Sequence, residues 1–158
     1  MRYIDTELAR PRWRFTGNCR VGRNLQIGIE VNPAAQELAP LLTWYWLTET
    51  HRRPALFVGT SSDRIGSPAG RQSYYLTAAK HLPRTPLALY ASVTYSEWDR
   101  ALTFPAGGSV MLPFHFTLRP MYDGRRPHLL LAHEHHRFHV AVLYVWFERI
   151  GVALAAGF

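Results

Sequence analysis

The feature that most constrains this chain is a period of two. Over most of its 158 residues apolar and polar side chains alternate, the spacing of a β-strand whose two faces meet different surroundings. Trp13, Phe15, Gly17, Cys19 and Val21 share one face, and Arg12, Arg14, Thr16, Asn18 and Arg20 the other. Leu25, Ile27, Ile29 and Val31 then oppose Gln26, Gly28, Glu30 and Asn32. The three residues Gly22-Arg23-Asn24 set Val21 beside Leu25, so both apolar faces fall on one side and a hairpin is predicted. Helical period is nearly absent.

The pattern recurs at about 42–49, 55–62, 71–80, 87–96, 100–112, 114–122, 127–134, 138–147 and 150–158. Eleven strands in a meander would leave the termini at opposite ends. A further strand at 2–8, turning at Ala9-Arg10-Pro11, returns them to one end. The chain is therefore read as one all-β domain over 1–158, an antiparallel up-and-down meander of about twelve strands, with ten as the alternative count. So many strands leave almost no residues for helices, and closure into a barrel is the simplest way to remove the sheet edges. The two longest connections, 33–40 and 63–70, fall at the same end.

Composition bears on which face looks inward. Hydrophobic residues make up 47% and aromatic residues 13%, against 18% charged, which excludes a disordered chain. A soluble barrel turns its apolar face inward; a membrane barrel turns it to lipid and lines its lumen with the polar face. Here the polar face carries Arg12, Arg14, Arg20, Glu30, Glu49 and Arg119, long charged groups able to pair across strands, Arg14 diagonally with Glu30 among them. These are the candidate lumen residues. Trp13, Trp44, Trp46, Tyr74, Tyr75, Tyr95, Tyr122, Tyr144 and Trp146 sit near strand ends, where interfacial girdles lie. The strand lengths suit the roughly 9–11 residues of a tilted crossing.

The last segment is the most specific. Ile150, Val152, Leu154, Ala156 and Phe158 alternate with Gly151, Ala153, Ala155 and Gly157. This resembles the C-terminal strand of bacterial outer-membrane β-barrel proteins, which ends in an aromatic residue, usually Phe, after alternating apolar positions. The resemblance implies an outer-membrane location, with a lipid bilayer (or detergent) around the apolar face. It also implies recognition of Ile150, Val152, Leu154 and Phe158 by the outer-membrane assembly machinery. A monomer without a cofactor is expected. Residues 1–15 contain no apolar export segment, so an export signal for that destination is expected to be absent from the chain as given. One stretch departs from the pattern: 138–147 is apolar on both faces, which predicts a greasy section of lumen wall.

Other function classes find little support. The single cysteine, Cys19, can close no intrachain disulfide and build no thiolate metal site. The net charge is +7, but 17 of the 18 basic residues are Arg, scattered from Arg2 to Arg149 with no run beyond Arg52-Arg53 and Arg125-Arg126. No nucleic-acid partner is expected from so dispersed a charge. His133, His135, His136 and His139, with Glu134 among them, fall at a predicted turn and are read as solvated rather than metal-binding. No serine lies in a nucleophile-elbow pattern, so no catalytic residues are assigned and an enzyme is not expected. The one exception would be a lipid-modifying barrel with Ser and His at its rim. The leading reading is a small outer-membrane barrel, either structural or a narrow pore whose Arg-rich lumen favours anions. The alternatives are a soluble up-and-down barrel that binds an apolar small molecule and a basic β-sheet that binds nucleic acid. The solvent of the apolar face separates the three.

Overall fold

A computed structural model describes residues 1–157, the side chain of Pro11 excepted. The strands are β1 (Arg2–Ile4), β2 (Trp13–Val21), β3 (Leu25–Asn32), β4 (Glu37–Leu47), β5 (Ala55–Ser62), β6 (Gln72–His81), β7 (Leu87–Ser96), β8 (Ala101–Thr103), β9 (Ala106–Leu112), β10 (Phe116–Tyr122), β11 (Pro127–Glu134), β12 (Phe138–Val145) and β13 (Arg149–Ala156). A one-turn helix, α1 (Ala9–Arg12), and a 3-10 turn, Pro33–Ala35, complete the described elements. Each strand pairs antiparallel with its neighbours, and β13 pairs with β1, so the meander closes on itself.

β8 and β9 are one stave. β7 pairs with both in a single register, from Thr94↔Thr103 to Ala91↔Ala106 and Leu87↔Val110. The interruption falls at Phe104-Pro105, where proline has no N–H for the ladder, although its carbonyl still accepts from the Ser92 N–H at 2.8 Å. Twelve staves therefore enclose the lumen. Both termini lie at one end, where the Met1 amino group donates to the Leu154 carbonyl at 2.7 Å. That end is termed the termini mouth; the other, holding the 63–71 connection, is the plugged mouth.

Several boundaries differ from the sequence reading, each for a local reason. The connection expected over 33–40 is much shorter, because only Pro33 acts as a breaker: it opens the 3-10 turn, and Gln36 closes it at φ 50°. Pro40 sits inside β4 opposite Ile29 without disturbing the register. β1 stops at Ile4, and α1 takes the place of the expected turn at Ala9-Arg10-Pro11. Phe114 leaves its expected strand to form, with His115, a turn in which both residues are left-handed (φ 60° and 61°). Trp146 and Phe147 do the same at φ 57° and 56°, so β12 ends at Val145. Asn or Gly ordinarily fills such positions, since other residues there cost ~1–2 kcal/mol each.

The two walls of the barrel are chemically inverted relative to a water-soluble protein. Outward-facing Ile27, Leu76, Leu89, Leu131, Val142 and Val152 are all exposed. Aromatic side chains stand outward near both ends: Trp13, Phe15, Tyr74, Tyr95, Tyr122 and Tyr144 towards the plugged mouth, Trp44, Trp46, Phe116 and Phe138 towards the termini mouth. Among the described residues only six hydrophobic side chains are buried, three of them alanine, against thirteen polar or charged ones that include Arg10, Glu30, Asn32, Glu37 and His128.

Candidate functional site

A barrel of about eight strands is just filled by its own side chains, so twelve leave space that something else must occupy. Part of it is taken by the 63–71 connection, which folds across the plugged mouth. Arg10, carried there by α1, holds it: its Nε donates to Glu37 Oε2 at 2.7 Å, and its terminal nitrogens donate to the carbonyls of Pro68 (3.1 Å) and Arg71 (2.8 Å) and to the Ser67 hydroxyl. Glu37 also accepts from the Gly70 N–H at 2.7 Å and from Asn32 Nδ2 at 3.0 Å. The same Asn32 nitrogen donates to Glu30 Oε1 at 2.9 Å, as does the Ser62 hydroxyl at 2.6 Å, while Glu30 Oε2 pairs with Arg14. Buried charges persist only when paired and hydrogen-bonded, and this network meets both conditions for Glu30 and Glu37.

A second set of contacts ties the connection to its neighbours. Asp63 accepts from the Ser96 hydroxyl at 2.7 Å and the Trp98 N–H at 3.1 Å. Arg64 makes a two-point pair with Asp99 at 3.0 and 3.2 Å and lies 4.2 Å over the Trp98 ring. The Asp63-Arg64 and 97–100 segments thus pair with one another. The Arg64 hydrogen bonds, with the charges of Arg64 and Arg125, hold the Asp99 carboxyl below its ordinary pKa. Burial pushes Asp123 the other way, but hydrogen bonds from the His128 ring (3.0 Å) and the Arg126 and Arg125 N–H groups outweigh it, and its pKa is also lowered.

The greasy stretch expected on 138–147 is present, and the structure supplies its partner. Leu143 and Val145 of β12 meet Ile4 of β1, and Ile65 from the 63–71 connection packs against them. The apolar inner wall is therefore covered by the apolar tip of the plug. The opposite wall is lined with hydroxyls: Ser61 to Ser73 at 3.0 Å, Thr77 to Ser92 at 2.7 Å and Thr43 to the Tyr75 phenol at 2.8 Å. Tyr75 and Tyr90 lie flat across inward glycines, since a Cβ at Gly59 would stand 2.5 Å from the Tyr75 oxygen and one at Gly107 2.8 Å from the Tyr90 ring. Between the walls runs a cavity of about 660 Å³. A second space of about 400 Å³, at the termini mouth, shares Ala79, Tyr90 and Met121 with it.

The candidate lumen residues are not brought together. Arg14 and Glu30 form the diagonal pair read from the hairpin, near the plugged mouth. Arg12 lies instead in α1, exposed, with its Nε donating to the Thr6 carbonyl at 2.7 Å. Arg20, Glu49 and Arg119 lie towards the other end: Arg20 stands 5.1 Å over the Tyr45 ring, Glu49 accepts from the His81 N–H at 2.9 Å, and Arg119 pairs with Glu134 at 2.5 Å. Ile150, Val152 and Leu154 are exposed on the outer face of β13, the strand that closes the barrel against β1; Phe158 lies outside the described residues. In the histidine segment, 135–137 is the turn between β11 and β12, with the His135 ring stacked 4.5 Å from Phe138. The sequence reading missed Arg2, Arg10 and Glu37. Continuing the alternation back through Glu37, Ala39 and Leu41 would have placed Glu37 on the inner face.

Comparison with protein-family models, curated proteins and solved structures gives no match for this chain.

Proposed function

We propose that the protein is a small membrane-spanning barrel of the bacterial outer-membrane type, its lumen plugged from one end and passing at most small anions. The observation that carries this reading is the inversion of the two walls: an apolar belt with aromatic rims outside, a hydrogen-bonded ionic network inside. The dimensions agree. A nine-residue strand such as β2 is ~30 Å long at about 3.3 Å per residue, and a tilt of about 40° brings its height to ~23 Å, close to the ~25 Å apolar band of membrane barrels. A soluble ligand-binding barrel would have to leave that belt in water. A nucleic-acid surface would need its cations on the outer wall, whereas Arg2, Arg10 and Arg14 face the interior.

On this reading the outer partner is lipid, and β13 is the strand presented to the assembly machinery. Deleting Phe158 should then impair insertion in cells far more than refolding into detergent; equal effects would assign Phe158 to packing alone. Planar-bilayer recording tests the lumen. With the 63–71 plug in place, we expect either no conductance or a small anion-preferring one. A large or cation-selective current would contradict the proposal.

A further inference from the structure

Beside the Arg14–Glu30 pair, the inner wall holds a cation with no counterpart. Arg2 lies directly opposite Arg14 in the β1–β2 register, so two guanidinium groups face the lumen side by side. Like charges in that position repel. The carboxylate on the next strand beyond Arg14, Glu30 of β3, is engaged by Arg14, Asn32 and Ser62. Among the described residues the Arg2 side chain makes no hydrogen bond or ion pair, and its Nε is buried without a partner. A buried guanidinium left in this state is costly.

Arg2 borders a chamber of about 170 Å³, enclosed by Arg14, Asn32, Ser62, Arg64 and His128 and opening into the main cavity. Three carboxylates also line it, and each already has its donors: Glu30 as above, Asp63 from Ser96 and the Trp98 N–H, Asp123 from His128 and the 125–126 backbone. Arg10, which borders it as well, is committed to Glu37 and the plug, and Arg64 to Asp99. Two buried polar side-chain atoms among the described residues lack a hydrogen bond, Arg2 Nε and Glu30 Oε2; the latter is ion-paired with Arg14, so the charge left without a partner is the Arg2 cation.

We propose that this chamber binds a small soluble oxyanion, a carboxylate or phosphate group, against the paired guanidinium groups of Arg2 and Arg14. A planar guanidinium donates two parallel hydrogen bonds to such a group, and an anion there would relieve the Arg2–Arg14 repulsion. A lipid headgroup is not the source, because the chamber lies inside the wall and behind the plug. The inference rests on the inward-facing polar wall of the proposed function and not on the bilayer.

The test uses the full chain folded in detergent, with inorganic phosphate and acetate as probes and chloride at equal ionic strength as reference. At least one of the two probes should raise the unfolding temperature saturably, beyond the chloride effect. Arg2→Gln should weaken that apparent affinity by ~10-fold or more, whereas Arg119→Gln, at the other end of the barrel, should leave it unchanged. Without oxyanion, Arg2→Gln should unfold at a higher temperature than the native chain, since it removes a buried repulsion. A response no greater than chloride's for both probes, or one that Arg2→Gln retains, would overturn the site. Either result could be obtained on a barrel that inserts normally into lipid; conversely, a chain that proved soluble in plain buffer could still be titrated, so the two readings fail separately.

Discussion

The two mouths of the barrel use charge in opposite ways. Strand direction places ten basic and nine acidic residues in the plugged half. The termini half has eight basic residues but only Glu49 and Glu134 as acids, and so holds +6 of the net +7. Seven of the eight histidines lie there too, His128 being the exception. At the plugged mouth Glu30, Glu37, Asp63, Glu97, Asp99 and Asp123 fasten the connections, each against an arginine, a histidine or backbone N–H groups. At the termini mouth the turns stay outside the lumen, the longest, 48–54, being held by Lys80 through the carbonyls of Thr50, His51 and Arg53, and Arg23, Arg52, Arg53, Arg84 and Arg137 stand exposed. A scattered arginine count therefore conceals two populations, one that builds the fold and one that charges a rim.

The two mouths should differ most at Arg10. Replacing it with alanine leaves Glu37 buried against Asn32 and the Gly70 N–H alone and frees the plug, and should cost about 3–5 kcal/mol in a denaturant titration of the detergent-folded chain. The matching change at the other mouth, Arg23→Ala, should fall within about 0.5 kcal/mol. Comparable losses would mean that the two ends are not built differently. Between the mouths, Val142→Arg on the outer wall should cost about 2–4 kcal/mol when folding is measured in lipid, and the penalty should shrink for outward positions nearer either rim.

The smallest effect is that of acid. Glu97, hydrogen-bonded by the Gln72 N–H and the Tyr74 phenol, has its pKa lowered, as do Asp99 and Asp123. A depressed folded-state pKa means stability that is fully present above the unfolded value of about 4 and lost as pH falls through the folded one. Amide exchange should accordingly quicken in 63–71 and 97–100 below about pH 4, while the 82–86 turn at the other mouth changes little. Uniform quickening at both ends would remove these carboxylates from the account.

How much of this was legible in the sequence follows from how far each contact reaches. Strand alternation is local, so eleven strands could be read directly, and the twelfth, at the N-terminus, followed from bringing the termini to one end. The Arg14–Glu30 pair was equally accessible, because a three-residue turn fixes the register of its two strands. Arg10 and Glu37 were hidden, since each lay in a segment with the prolines of a turn and they meet only when two connections fold to the same mouth. The β12 anomaly was visible as an apolar inner face, but its partner, Ile65, arrives from a connection some eighty residues earlier. Phe114-His115 and Trp146-Phe147 carry none of the Asn or Gly that marks a tight turn, so both were read as strand.

If the apolar wall faces lipid, as proposed, Trp13, Trp44 and Trp46 report on it from opposite rims. Tryptophan fluorescence of the chain folded into vesicles, with quenchers placed at known depths along the lipid chains, should show strongest quenching near the headgroups and protection from an aqueous quencher. A monodisperse, folded monomer in plain buffer, its tryptophans open to the aqueous quencher and indifferent to the lipid ones, would contradict that proposal.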